Sequence, residues 1–447
     1  MRDLIFIAFI VPLLGVAAAR PFVGVMVWSW ISFMNPHQLL WGFASGQSWA
    51  AMVFVVTVFG CVVAREPKRL PINAVTVLMT LLIIGITLTS LTALGPAAEV
   101  WAKWDRTFKT LLGLLLTAAL VDSRRRVHAL IWLIVIALGY FGVKGGIFTL
   151  MTGGSFIVVG PPNSMIWDRN HLATALLVSL PLMNYLRMQS RHQAVRHGLA
   201  FAMVTTLFAV VGSQSRGALV ALVATGAVLW TRSRGKVLSG VAIALAGMAA
   251  IAFMPDTWVE RMETIRSYEQ DGSAMGRITI WEASFRIALM RPLVGGGFLA
   301  MYKQDIVNMV MPQVRARAAH SIWFETLGEH GFVVFGLWLG ILVAGGLYTL
   351  KIARRTRDRP ELRWAYDLAR MSQVSMVAYM SGGSFLSLAY WDCFWTLTVV
   401  RAAAHHLVRQ PAVEDAGAAA PARTGAGWRV RTAASPIAAA RGSALRP

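Results

Sequence analysis

Three residues of types suited to chemistry stand beside apolar runs. Arg216 lies in Ser213-Gln-Ser-Arg-Gly217, Arg277 follows Gly276, and His320 precedes Ser321. A guanidinium stays charged and presents its donors as a planar fork, so two of them suit the oxygens of a diphosphate. An imidazole titrates near neutral pH and can deprotonate or orient a hydroxyl. Together they describe a site for a diphosphate-bearing lipid and a sugar acceptor. Arg216 falls at membrane depth or just above it, where an arginine is costly unless paired or solvated. The same placement also fits a snorkelling anchor on a helix end. Ser215 and Gly217 can add a hydroxyl and a backbone N–H to an anion site at the start of the next helix.

Other residues stand within reach in the sequence. From Arg277, the apolar residues Trp281, Phe285 and Leu289 recur every four positions and predict one face of a helix. Ser273 caps that helix in this reading, and Arg277 stands in its first turn near the positive end of the dipole. A helix lying on the membrane with Arg286 and Arg291 on its wet face has the same pattern. Glu325 follows His320 on one helix and either orients the imidazole or pairs with an arginine. Asp168-Arg169-Asn170 opens another helix, with Asp168 or Asn170 as its cap. Lys103, Arg106 and Lys109 open a third and add positive charge. Capping and anchoring also account for both of these sets. Gly295-Gly296-Gly297 lacks a preceding strand and a following Lys-Ser/Thr, so it reads as a flexible turn and not a phosphate loop.

The elements that must position these residues are membrane helices. The chain has 447 residues, 56% of them hydrophobic and only 14% charged. A soluble domain carries about a quarter charged residues. The apolar runs are continuous and do not alternate, which disfavours a β-barrel. A net charge of +21 would point to nucleic acid in a soluble protein. Here Lys and Arg sit in short clusters between apolar runs, so topology explains them and no nucleic-acid partner is expected. Cys61 and Cys393 both lie in apolar stretches, and neither a metal site nor a disulfide framework follows. Leu4–Val16 and Ala17-Ala18-Ala19 imitate a cleavable signal, but apolar spans follow at once, so an uncleaved first helix is expected.

Basic connectors fall at Arg65–Arg69, Arg124–Arg126, Arg187–His197, Arg232–Lys236 and Lys351–Arg359. The positive-inside rule puts all five in the cytoplasm. They alternate with loops at 92–105, 151–170, 213–217, 255–320 and 383–387, which then lie outside. Leu4–Ala19 and Phe22–Met34 are short and meet at Arg20-Pro21, so they form one broken crossing or a hairpin. The expectation is an all-α polytopic membrane protein with about 12 crossings. One large outer loop then lies between the helix ending near Met254 and the helix starting near Ser321. Residues 1–408 form the membrane domain. The tail at 409–447, rich in Ala, Gly, Pro and Arg, cannot bury a core and reads as disordered and cytoplasmic.

These residues together resemble the O-antigen ligase and polymerase superfamily of bacterial envelope glycosyltransferases. The features are Ser-Gln-Ser-Arg-Gly at 213–217, the large outer loop, Gly276-Arg277 with Trp281, and His320-Ser321 opening a long helix that carries Glu329. Arg20-Pro21-Phe22-Val23-Gly24, Met34-Asn35-Pro36-His37 and Gly160-Pro161-Pro162-Asn163-Ser164 look like the ligase-like branch, the O-glycosylation ligases of exosortase-associated clusters. The resemblance covers residues 1 to about 408. It implies a GT-C-like fold and transfer of a glycan from undecaprenyl diphosphate to an acceptor at the periplasmic face of the inner membrane. Acceptors of this class are a lipid A-core sugar, a protein Ser/Thr or another glycan. No metal, nucleotide or other cofactor is implied. The arginines at Arg216 and Arg277 would hold the diphosphate, and the histidine at His320 would activate the acceptor. The family often reads Asp-Asn-Asn where this chain has Asp168-Arg169-Asn170, which leaves Arg169 as a further phosphate contact or a bystander.

Overall fold

The computed structural model describes residues 1–232, 235–263 and 272–409, and every regular element among them is a helix. The expected disordered tail beyond Arg409 and the side chain of Ser273 lie outside the described residues. Helices α1 (Arg2–Ala19) and α2 (Pro21–Met34) meet at Arg20. Pro21 has no N–H to continue α1 but suits the first position of a new helix. The rings of Phe6 and Phe9 pack on Trp30 at 6.3 and 5.6 Å. The two helices therefore fold back as a hairpin, which decides between the two readings of this segment.

Then come α3 (Trp49–Val63), α4 (Ala74–Leu91), α5 (Ala97–Leu120), α6 (Arg124–Met151), α7 (Arg169–Gln189) and α8 (Gln193–Gly212). α9 (Arg216–Arg232) and α10 (Lys236–Phe253) complete the first part. Helices α1, α4, α6, α8 and the later α14 (Ile322–Thr356) are each long and apolar enough to cross a membrane. α2, α3 and residues Arg216–Thr231 are shorter apolar helices. Val55, Phe59, Ile84, Leu88 and Ile136 stand exposed on their outer faces, as lipid-facing side chains do. The chain is a polytopic membrane protein.

Small residues let the helices approach. A Cβ on Gly146 of α6 would lie 1.9 Å from the Thr205 carbonyl oxygen of α8, and one on Gly212 would meet Thr149 at 2.1 Å. In lipid, such close backbone packing replaces the hydrophobic drive between helices. α7 and α16 (Asp392–Arg409) are buried on nearly every side, as expected of helices in the middle of a bundle.

The polar stretch between α10 and α14 carries helices of its own: α11 (Asp256–Glu263), α12 (Gly272–Met290) and the short α13 (Gln304–Asn308). α12 lies along the N-terminal part of α14, with Ser284 2.9 Å from where a Gly328 Cβ would stand. α14 is not one straight rod. Gly331 adopts φ 71°, a left-handed value that glycine tolerates. The break frees backbone groups that a bilayer cannot satisfy. Phe332 N–H donates to the Pro292 carbonyl, while the carbonyls of Gly328 and Glu329 accept from Gly296 and Gly297. Glu329 Oε1 also accepts the Leu299 N–H at 2.8 Å. The triple glycine is therefore a clamp on the break in α14 and not the flexible turn expected. α15 (Arg363–Gly383) returns antiparallel to α14 through a short basic connector.

Candidate functional site

His320 stands two residues before α14 and has φ 45°, uncommon for a residue with a Cβ, although His tolerates it better than most. Such backbone persists only where the surroundings impose it. Here the indole Nε1 of Trp281 donates to the Ala319 carbonyl at 2.6 Å. Trp281 itself lies parallel to Phe324 at 5.3 Å and packs on Phe385 at 6.3 Å. The Nδ1 of His320 is buried and makes no hydrogen bond. Burial, then the charges of Arg277, His171 and Arg317, push its pKa down to about 4, with Asp168 opposing. The imidazole is thus neutral at physiological pH and able to accept a proton.

Arg277 sits on α12, which begins at Gly272, so it occupies the second turn and not the first as expected. The preceding Gly276 has a specific reason to be glycine. A Cβ there would stand 2.1 Å from Nη1 of Arg317. The Arg317 guanidinium therefore lies across α12 beside Arg277, three residues before His320. Nothing in the periodicity of the sequence marked Arg317, and only the glycine next to Arg277 hinted that a large group passes over the helix.

Arg216 is the first residue of α9. Ser215 caps that helix, its hydroxyl accepting the Ala218 N–H at 3.1 Å. Ser213 donates to the Val210 carbonyl, so both serine hydroxyls first serve their own helices. Gln214, at φ 52°, turns the chain and donates to the Gly154 carbonyl. Gly217 faces Phe385, where a side-chain Cβ would find ordinary van der Waals room at 3.6 Å. Phe385 thus touches both the Arg216–Gly217 turn and Trp281. The turns bearing Arg216, Arg277 and His320 assemble around this one ring and its indole neighbour.

The segment leading to Phe385 also brings in α7. Gly382 at the end of α15 presses on Thr174 of α7, and the adjacent Gly383 presses on Ile322 of α14, so that a Cβ on either would stand only 2.5 and 2.9 Å from them. Trp323 Nε1 donates to Ser384 Oγ at 2.9 Å. The glycine pair seats the starts of α7 and α14 side by side. Asp168 caps α7, accepting from the Asn170 backbone and side chain, and its Oδ1 lies 3.3 Å from Nδ1 of His171. Burial works against the Asp168 charge, yet hydrogen bonds from His171 and Asn170 outweigh it and hold the carboxyl well below the usual range. His171, a member of this group that sequence reasoning left unassigned, acts electrostatically on His320. Arg169 is half-exposed on the first turn of α7.

Other expected members lie elsewhere. Glu325 pairs with Lys103 of α5 at 3.2 Å, with Glu329 4.0 Å from the same ammonium. Arg106 and Lys109 lie on the exposed side of α5, and Lys109 pairs with Asp105 at 2.6 Å. Arg286 pairs with Glu282 on the exposed side of α12, while Arg291 donates to the Thr92 carbonyl. Among the described residues, no group of His, Cys, Asp and Glu has the arrangement of a metal site.

Residues 1–191 match a family of unknown function (DUF5935), and residues 201–339 match the family described as O-Antigen ligase. No curated protein matches the chain. The second match runs from α8 past the break in α14 and takes in Arg216, Arg277, Arg317 and His320. Asp168, His171 and the Gly382–Phe385 seat lie outside it. Residues 201–339 thus form an O-antigen ligase domain, and that match supports membership of the O-antigen ligase superfamily.

Proposed function

We propose that this protein is an O-antigen ligase-like glycosyltransferase of the bacterial inner membrane. It moves a glycan from undecaprenyl diphosphate to an acceptor hydroxyl on the periplasmic side. The observation that carries this reading is the joint packing of the Arg216, Arg277 and His320 turns on Phe385 and Trp281. In the step we envisage, the acceptor oxygen attacks the anomeric carbon and gives its proton to the His320 imidazole. The bond from that carbon to the diphosphate breaks, and its electron pair leaves with the lipid diphosphate. Arg216 and Arg277 hold the charge that grows there. Fixed cations aimed at a developing anion lower the barrier without reorganising, by about 2.7–4 kcal/mol per donor in the best-measured case. Bound diphosphate also offsets the cations that depress His320, so the imidazole becomes a stronger base once donor is present.

The test is transfer in vitro with purified lipid-linked donor. Arg216→Ala and Arg277→Ala should weaken donor binding and cut transfer about 100-fold or more. His320→Ala should bind donor almost normally and transfer nothing. Arg→Lys should recover little, because an ammonium keeps the charge and loses the fork. Arg286→Ala, which removes only an exposed pair with Glu282, is the control. A folded His320→Ala protein with near-normal turnover would remove the base from this account. Acceptors distinguish the ligase from a polymerase: a second lipid-linked glycan extended in place of a terminal acceptor would make it a polymerase.

A further inference from the structure

The far end of α14 carries a second basic site that the transfer chemistry does not use. Beyond the break at Gly331, α14 runs on to Thr356, about 37 Å of helix against a hydrocarbon core of about 30 Å. Its last turns therefore emerge on the membrane face opposite His320. There, Arg354 of α14 and Arg357 just past its end line a groove of about 420 Å³ together with Tyr366, Arg370 and Gln373 of α15, and Leu350 and Ala353 also border it. Arg363, next to the groove, is already held by Asp367 at 3.2 Å. Among the described residues no carboxylate lies within ion-pair distance of Arg354 or Arg357. Arg363 and Arg370 lie 5.6 and 6.0 Å from the Tyr366 ring, which fixes the inner wall.

Two properties indicate the ligand. Three guanidinium groups around one concavity suit a phosphate, by charge and by forked donation. The groove also continues along α14 into apolar surface, since Leu347 and Leu350 are 47% and 44% exposed toward the bilayer side. A free anion would gain nothing from that surface, whereas acyl chains would cover it. We propose that the groove binds the phosphodiester headgroup of an anionic phospholipid from the leaflet that faces the basic connectors. Arg354, Arg357 and Arg370 then surround the phosphate, and the acyl chains descend along Leu350 and Leu347. Basic pockets between membrane helices on that side are suited to such headgroups.

The experiment uses the full chain in a neutral detergent, followed by native mass spectrometry and melting temperature. Phosphatidylglycerol, phosphatidylcholine and inorganic phosphate are titrated separately. Phosphatidylglycerol should be retained and raise the melting temperature, with little effect from the other two. Arg354→Gln and Arg357→Gln should each weaken its retention about fivefold, the worth of one basic residue at an anionic surface. Arg359→Gln, on the connector outside the groove, should retain lipid like the unaltered protein. Equal retention of phosphatidylcholine overturns the proposal, as does displacement of the lipid by equimolar inorganic phosphate. Undiminished binding by an Arg354→Gln, Arg357→Gln double variant overturns it too. Should that variant melt early, Arg354→Lys and Arg357→Lys keep the charge and should retain phosphatidylglycerol better than the matching Gln variants, and equal retention by the Lys and Gln variants overturns the proposal. Every readout is lipid binding, so glycan transfer does not enter the outcome.

Discussion

The indole of Trp281 and the carbonyl of Ala319 share a 2.6 Å hydrogen bond that joins α12 to the residue preceding His320. It fixes the direction in which the chain enters the left-handed turn at His320. Trp281→Phe keeps the stack on Phe324 and Phe385 but removes the donor. A single hydrogen bond contributes about 1 kcal/mol, so transfer should fall about fivefold with donor affinity held within about twofold. Separate kcat and KM values check this: a loss confined to KM would assign Trp281 to donor binding and not to the imidazole.

The contact of Gly276 with Arg317 gives a paired test. Gly276→Ala would place a methyl 2.1 Å from Nη1, at the tip of a flexible side chain. The helix should survive, since Ala is the better helix former, while the guanidinium is expelled. Donor affinity should fall to the level of Arg317→Ala, and the double variant should be no worse than either single. Gly217→Ala adds its methyl at 3.6 Å from Phe385 and should change neither folding nor transfer. Additive losses at Gly276 and Arg317 would separate the two residues.

The pH profile carries the electrostatics of His320. Burial and the charges of Arg277, His171 and Arg317 hold its pKa near 4, against the pull of Asp168. The free protein therefore loses its neutral imidazole only as pH falls toward 4. The acid limb of kcat/KM should lie there, well below the ordinary histidine value of about 6.5. Arg277→Gln removes a cation and should move that limb upward. The sign for stability is equally defined. Between about 6.5 and 4 the unfolded chain binds the proton that the folded site refuses, so stability falls as pH drops through that window. A limb unmoved by Arg277→Gln would mean that the cation does not act on His320.

Much of this arrangement was legible along the chain, because apolar run length and basic clusters are local properties. The turns at Arg216, Arg277 and His320 were also visible, being polar residues beside apolar runs. What escaped were relations between distant positions. Lys103 finds Glu325 across 222 residues, so Glu325 could not be assigned to the right partner. The clamp on Gly331 uses backbone groups of a loop some 30 residues earlier, and backbone hydrogen bonds leave no side-chain pattern. Arg317 sits in Val314-Arg-Ala-Arg-Ala-Ala-His320 beside Arg315, and composition cannot tell which arginine turns toward α12. The seat at Gly382–Phe385 looked like an ordinary outer turn, since two glycines ending a helix are also a common way to stop one.

That seat supplies the last prediction. Thr174 is fully buried, and its hydroxyl makes no hydrogen bond within the protein. A methyl on Gly382 would stand 2.5 Å from that hydroxyl oxygen and 2.6 Å from the Thr174 methyl. Overpacking of this kind costs about 1–3 kcal/mol, and here it would wedge α7 from α15. Gly382→Ala should lower the melting temperature and reduce transfer by displacing Asp168 and His171 from His320, with Arg216 and Arg277 left in place. Donor binding should therefore persist. Thr174→Ala removes both clashing atoms, so the double variant Gly382→Ala, Thr174→Ala should recover stability and transfer together. Recovery of stability without transfer would mean that Gly382 acts on the site by some route other than its contact with α7.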